Sequence, residues 1–112
     1  MTQPPLLDKT AILKRLGNSE PLLKKVIEQF LGFYTGELAG MEAALGQGDA
    51  NTVHRAVHRI RGSACYFDYN DLMQTLQDLE ASAKVGDLES IRPLFGTLRE
   101  HLEVFAAALR AL

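Results

Sequence analysis

Apolar residues recur at intervals of three and four along nearly the whole chain, which is the spacing of one face of an α-helix. The apolar positions of the four longer segments are Leu23, Val26, Ile27, Phe30, Tyr34, Leu38, Met41 and Leu45, then Val53, Val57, Ile60, Ala64 and Phe67, then Leu72, Leu76, Leu79 and Ala83, and finally Ile91, Leu94, Leu98, Leu102, Phe105 and Leu109. No convincing stretch of β-branched residues alternates at a period of two. The pattern predicts an all-α fold, an antiparallel four-helix bundle with a short additional N-terminal helix.

Short polar residues mark where these helices begin. We expect N-caps at Asp8, Ser19 and Asp49. The last helix could begin after Asp87 or after Ser90. Proline is tolerated best near the start of a helix, so Pro93 favours Ser90.

Glycines weaken the second helix. Gly32, Gly36 and Gly40 lie within its apolar pattern, and glycine is a poor helix former. A kink or a break is therefore expected near residues 32–37.

Length and composition limit what the chain can be. Its 112 residues suit one domain, which we place at residues 8–112 after a linker or extended lead-in at residues 1–7. With 46% hydrophobic residues and a net charge of −2, the chain is expected to be globular, without a field that would collect nucleic acid or anionic membrane. The N-terminus lacks the features of a signal peptide, and Cys65 has no intrachain partner, so a cytoplasmic location is expected.

The third helix carries a polar strip opposite its apolar face. With His58 at zero and about 100° per residue, the strip lies within about 60° of His58. Its members are His54, His58, Arg61, Gly62 and Cys65. An imidazole can act as a nucleophile, and a guanidinium suits phosphoryl oxygens. Glycine inside a helix costs about 1 kcal/mol relative to alanine, so Gly62 suggests the close approach of another molecule.

Residues 57–64, Val-His-Arg-Ile-Arg-Gly-Ser-Ala, resemble the motif of histidine-containing phosphotransfer (HPt) domains, in which the histidine is followed by two residues, a basic residue, glycine and a small residue. The resemblance extends over nearly the whole chain. Further residues that fit the family are Leu7, Asp8, Leu13, Leu16, Leu22, Leu23, Phe30 and Leu31, then Gly48 and Asp49, then Leu72, Leu79, Glu80, Gly86 and Asp87.

This resemblance implies a phosphorelay intermediate. His58 would accept a phosphoryl group from the phospho-aspartate of one receiver domain and transfer it to another. Arg61 would offset charge in the transition state, Gly62 would give the receiver access, and His54, Arg55 and Cys65 would lie in the docking surface. No cofactor of its own is implied, since Mg²⁺ belongs to the receiver. Nor is kinase activity implied, although the chain could be the C-terminal module of a hybrid sensor kinase. A monomer is expected.

Two further residues have candidate roles, of which that of Glu80 is implied by the resemblance. Glu80, on the fourth helix, could hydrogen-bond and orient the imidazole of His58, with electrostatic support from Lys84. An equally good interpretation is a solvated Glu–Lys pair at i, i+4 spacing. The sequence also departs from the family, which commonly has lysine in place of Arg61 and often glycine in place of Asp68. Aspartate enters the left-handed region more readily than most residues, so the turn at residue 68 should persist.

Three alternatives use the same residues. A His-x-x-x-His pair, His54 and His58, could bind a metal, but no third ligand is evident. A histidine kinase dimerisation domain would have His-Glu followed by Arg-Thr-Pro, which this chain lacks. A non-catalytic helical adaptor would need neither His58 nor Gly62.

Overall fold

The computed structural model describes residues 6–112, which form five α-helices. They are α1 (Lys9–Arg15), α2 (Glu20–Gly46), α3 (Ala50–Ala64), α4 (Asn70–Lys84) and α5 (Leu88–Arg110), and a 3₁₀ turn (Cys65–Phe67) follows α3. Helix α2 packs against α3 and α5, and α4 packs against the same two helices, so the long helices close into a bundle. Short connections make successive helices antiparallel, and α1 packs on α2 and the 3₁₀ turn. The all-α bundle predicted from the apolar pattern is confirmed, and no strand occurs within residues 6–112.

The chain enters the bundle just before α1. Residues 1–5 of the expected lead-in lie outside the described residues. Leu6 is exposed, whereas Leu7 is buried and packs into the core. No helix in the part of the chain that the structure describes is long and apolar enough to cross a membrane.

Aromatic rings from four elements meet at Phe105 of α5. Its ring centroid lies 5.0 Å from that of Phe30, 5.5 Å from that of Phe67 and 5.9 Å from that of Tyr69. Edge-to-face and offset ring pairs add to the stabilisation that burial gives. This cluster ties α2, the 3₁₀ turn and the start of α4 to the last helix.

Side-chain caps set the helix starts. Asp8, Ser19 and Asp49 each accept a hydrogen bond from the backbone N–H three residues later, which confirms the three predicted N-caps. For α5 the preference for Ser90 is wrong. Asp87 is the cap and accepts from the Ser90 backbone N–H at 3.2 Å. Pro93 therefore lies in the second turn. It is exposed to solvent, and so is Glu89, the residue whose carbonyl lacks an N–H partner at position 93.

Helix α2 runs without interruption through its glycines, so the break considered near residues 32–37 is wrong. Phe30, Tyr34 and Met41 on its inner face are buried in the core. Burial of such side chains contributes about 1.5–3 kcal/mol each, which outweighs the poor helix propensity of the exposed glycines.

A clamp holds α1 against the turn that ends α3. Arg15 donates to the Tyr66 backbone carbonyl at 2.8 Å and forms an ion pair with Asp68. Asp68 has φ 55°, the left-handed conformation expected at this position. The clamp, made by Arg15, Tyr66 and Asp68, fixes the chain's exit from α3.

Candidate functional site

Helix α3 has one fully buried face and one open face. Val53, Val57 and Ile60 are each completely buried against the bundle. His58 projects from the opposite side and is exposed. The packing of α3 thus keeps the imidazole on the outer wall of the bundle, as the angular pattern predicts.

The imidazole of His58 borders an open groove of about 310 Å³. Its lining side chains are those of His54, Arg55, His58 and Arg59. None of the side chains in residues 6–112 makes a hydrogen bond with the His58 ring. Both ring nitrogens are therefore free to meet a partner or solvent.

Gly62 leaves a gap one turn beyond His58. A Cβ atom built at this glycine would meet no other heavy atom within 4 Å, so nothing in the fold itself requires glycine here. The gap opens into a groove of about 400 Å³ between α2 and the end of α3. The side chains that line it include those of Leu16, Leu22, Val26, Phe33 and Tyr66.

Sequence reasoning did not identify this groove as part of the site. Leu22 and Tyr66 lie outside the buried stripes of their helices and are 42% and 43% exposed. These two residues could have indicated the groove from the sequence, because both are large and apolar but lie outside the buried stripes. Exposed apolar side chains that lie next to each other often mark an interaction surface.

Arg61 forms an ion pair across the α3–α4 interface. Its Nη1 donates to Glu80 Oε2 at 2.6 Å, and the other carboxylate oxygen of Glu80 lies 4.0 Å from His54 Nε2. Glu80 therefore contacts the cation of the strip, whereas the family resemblance suggested a bond to the imidazole of His58.

A second ion pair, not singled out from the sequence, lies beside His58. Arg59 donates through Nε and Nη2 to the two carboxylate oxygens of Glu37, at 3.1 and 2.9 Å. These hydrogen bonds raise the pKa of Arg59 above its usual value, so its charge is permanent. The pair links α3 to α2 on the side away from Glu80.

The remaining predicted residues surround this centre. Arg55 is exposed and donates to the Thr52 hydroxyl at 3.4 Å, and the Cys65 thiol lies 3.3 Å from the Gly62 carbonyl. Lys84 is exposed near His54 at the end of α4, and the described residues include no ion pair between Lys84 and Glu80. Lys84 thus borders the strip without touching its centre.

Together these features define a class of protein. Within residues 6–112 the chain is a helical bundle that presents an exposed imidazole on its outer wall, with arginine side chains around it and an open groove beside it. The comparisons with known proteins identify the family within this class.

The chain matches the family model of the Hpt domain over residues 25–108 and belongs to that family. Its role is histidine phosphotransfer in a phosphorelay. The fold is similar to that of histidine-containing phosphotransfer protein B (HptB) from Pseudomonas aeruginosa PAO1, with a TM-score of 0.84, 20% identity, and coverage of 97% of this chain and 95% of that chain. It is also similar to the HPT domain of the Hpt sensor hybrid histidine kinase from Shewanella, with a TM-score of 0.81, 20% identity, and coverage of 95% and 92%. No curated protein sequence gives a significant match.

Proposed function

We propose that His58 is the phosphoacceptor, which takes a phosphoryl group from the phospho-aspartate of one receiver domain and passes it to the aspartate of another. The observation that carries this proposal is the exposed imidazole on the open face of α3, one turn from a gap with no side chain. A nucleophile that must meet phosphorus on another protein needs this kind of access.

The bonds that form and break in the transfer involve only the two reacting side chains, the phosphoryl group and a proton acceptor in solvent. The Nε2 lone pair of neutral His58 attacks phosphorus in line, and the Nε2–P bond forms as the P–O bond to the aspartate breaks. The aspartate leaves as a carboxylate. The proton on Nδ1 stays on the ring, which carries a positive charge until that proton passes to solvent. Transfer to the second receiver reverses these changes.

The charge around His58 suits this reaction. Arg55, Arg59 and Arg61 lie on the same helix within one turn of it, and Glu37 and Glu80 offset part of their charge. A phosphoryl group in transfer carries negative charge on its equatorial oxygens, which guanidinium groups stabilise. Arg61, which keeps further N–H donors exposed, is the residue that we assign to this role.

The receiver would dock over Gly62 and the adjacent apolar groove. The groove offers apolar contact at Leu22 and Tyr66, while His54, Arg55 and Cys65 border the histidine. A receiver that holds a phosphorylated aspartate is acidic at its active site, so the basic strip complements it and favours rapid encounter.

We further propose that the chain is an intermediate without kinase activity and works as a monomer. Within residues 6–112 the bundle buries the inner apolar stripes of all four long helices, so their burial does not require a second copy. Any Mg²⁺ would come with the receiver, where it neutralises phosphoryl oxygens.

Radiolabel transfer tests the proposal. Purified chain should take up label from a phosphorylated receiver and none from ATP, and His58→Gln should abolish the uptake. His101→Gln, which makes the same change on α5, is the matched control and should transfer normally. Label that persists in His58→Gln would show that another residue is the acceptor, and uptake from ATP would show kinase activity.

A further inference from the structure

Glu80 lies beside the polar strip of α3 but makes no hydrogen bond with His58. Its carboxylate faces α3 from α4, with Oε2 2.6 Å from Arg61 Nη1 and Oε1 4.0 Å from His54 Nε2. Its side chain is 26% exposed, whereas that of Arg61 is 43% exposed. The α3–α4 interface thus encloses more of the Glu80 side chain than of the Arg61 side chain.

The contact uses a single N–H group of Arg61. Nη1 is bonded to Glu80, whereas Nε and Nη2 have no hydrogen-bond acceptor among residues 6–112. A guanidinium has five N–H donors in a fixed planar arrangement, so the group can keep Glu80 and still present a free edge to an anion. Arg61 follows His58 by three residues, which places the two side chains on neighbouring positions of one helix face.

We propose that Glu80 is a positioning residue, which holds the guanidinium of Arg61 beside His58 so that its free N–H donors meet the incoming phosphoryl group. This inference rests on the proposed function of His58. Glu80 itself makes and breaks no bond to phosphorus. Its effect is to remove the need to immobilise a long, half-exposed side chain during transfer.

Charge alone could obscure this effect, because removing Glu80 also removes a negative charge near the phosphoryl group. Glu80→Gln and Glu80→Ala are equally neutral, and they differ in that glutamine keeps an acceptor oxygen for Arg61. The ratio of their transfer rates therefore separates the positioning of Arg61 from the loss of charge. We measure this ratio with Arg61 present and again in the Arg61→Ala background.

With Arg61 present, Glu80→Gln should transfer about threefold to tenfold faster than Glu80→Ala at saturating phosphorylated receiver, which corresponds to immobilising one long side chain. In the Arg61→Ala background the two should be equal. Glu100→Gln and Glu100→Ala on α5 provide the matched control, with a ratio near one. If Glu80→Gln still transferred faster than Glu80→Ala in the Arg61→Ala background, Glu80 would act on the imidazole instead. If the two rates were equal with Arg61 present, Glu80 would not position Arg61.

A second measurement does not depend on transfer. The Nε–Hε group of Arg61 should give an ordered NMR signal in the wild type and in Glu80→Gln, and an averaged, rapidly exchanging signal in Glu80→Ala. An ordered signal in all three would overturn the inference. If the wild type takes up no label, the proposed function of His58 fails, and this signal still decides whether Glu80 positions Arg61.

Discussion

Gly62 is an exposed residue in the last turn of α3, which continues into the 3₁₀ turn, and its missing side chain destabilises the helix. No neighbouring atom explains its presence, since a Cβ would stand in open space. A residue that costs the helix about 1 kcal/mol without helping to pack it points to a requirement outside the folded chain. The proposed function supplies such a requirement, which is the approach of the receiver.

The prediction at the residue scale is that Gly62→Gln stabilises the fold and slows transfer. Glutamine is the better helix former, so the free energy of unfolding should rise by about 0.5 kcal/mol. The transfer rate should fall about tenfold or more, because the new side chain enters the gap beside His58. Urea unfolding and single-turnover label transfer measure the two effects.

Gly96 supplies the control for this prediction. It also lies inside a helix, is exposed, and has nothing within 4 Å of a built Cβ. Gly96→Gln should raise stability to a similar extent and leave transfer unchanged. Equal transfer rates for the Gly62 and Gly96 variants would contradict the role assigned to the gap.

The sequence could predict the relative positions of those site residues that lie on one helix. A fixed angle per residue relates His58, Arg61 and Gly62, and the structure places all three on the open face of α3. The partner of Glu80 could not be predicted in this way. It depends on how far α4 is shifted and rotated against α3, which is decided by packing over the whole interface.

At the scale of elements, the helix starts depend on a few capping carboxylates. Hydrogen bonds from Thr52 lower the pKa of Asp49, and those from Ser90 lower the pKa of Asp87. Each carboxylate also accepts the backbone N–H of that residue and so satisfies a donor at the helix start. The starts of α3 and α5 are therefore sensitive to acid.

We expect the two caps to contribute to stability above a pH of about 4 and to lose that contribution as pH falls through their lowered folded-state pKa values. The sign follows because the unfolded chain binds the protons more readily. The double variant Asp49→Asn, Asp87→Asn keeps capping oxygens that do not titrate, so its stability should fall less between pH 7 and pH 3. Urea unfolding at both pH values tests this, and an unchanged fall would contradict it.

The clamp of α1 leads to another prediction at this scale. Arg15→Ala removes the bonds to the Tyr66 carbonyl and to Asp68, which should release α1 locally. Because the ion pair is exposed, the loss in global stability should stay within about 1 kcal/mol. Amide hydrogen exchange in α1 should accelerate, whereas Lys14→Ala, an exposed neighbour, should leave it unchanged. Unaltered exchange in Arg15→Ala would show that apolar contacts alone hold α1.

The sequence predicted the presence of the helices better than the residues at which they begin and end. Asp49 was predicted correctly as a cap because it is the only serine, threonine, aspartate or asparagine between α2 and α3. At α5 two cap residues competed, and Pro93 gave the wrong preference because its cost in the second turn is reduced by exposure. In α2 the glycines predicted a break that burial of the opposite face prevents.

For the whole molecule, the bundle depends on a core of aliphatic side chains with a single aromatic centre. Phe105 is fully buried and meets rings from α2, the 3₁₀ turn and the start of α4. The four apolar stripes were enough to predict the bundle itself, because four amphipathic helices with short connections have few other ways to bury their faces. The ring cluster was not predictable, since it joins residues far apart in sequence.

Replacing Phe105 by alanine should therefore affect the whole molecule. The expected loss is about 3–5 kcal/mol, a large part of the total stability of a domain of this size. Val104→Ala, at the half-exposed neighbouring position, should cost less than about 1 kcal/mol. Thermal and urea unfolding compare the two variants, and a similar loss for both would show that the ring cluster is not central to the core.

The division of α3 into a sealed side and an open side has a consequence for how such a domain can diverge. Val53, Val57 and Ile60 keep the bundle together, while His54 and Arg55 lie outside its buried core. Partner preference can thus be rewritten by surface exchanges without endangering folding. A lineage could duplicate this domain and assign each copy to a different signalling circuit at little thermodynamic risk.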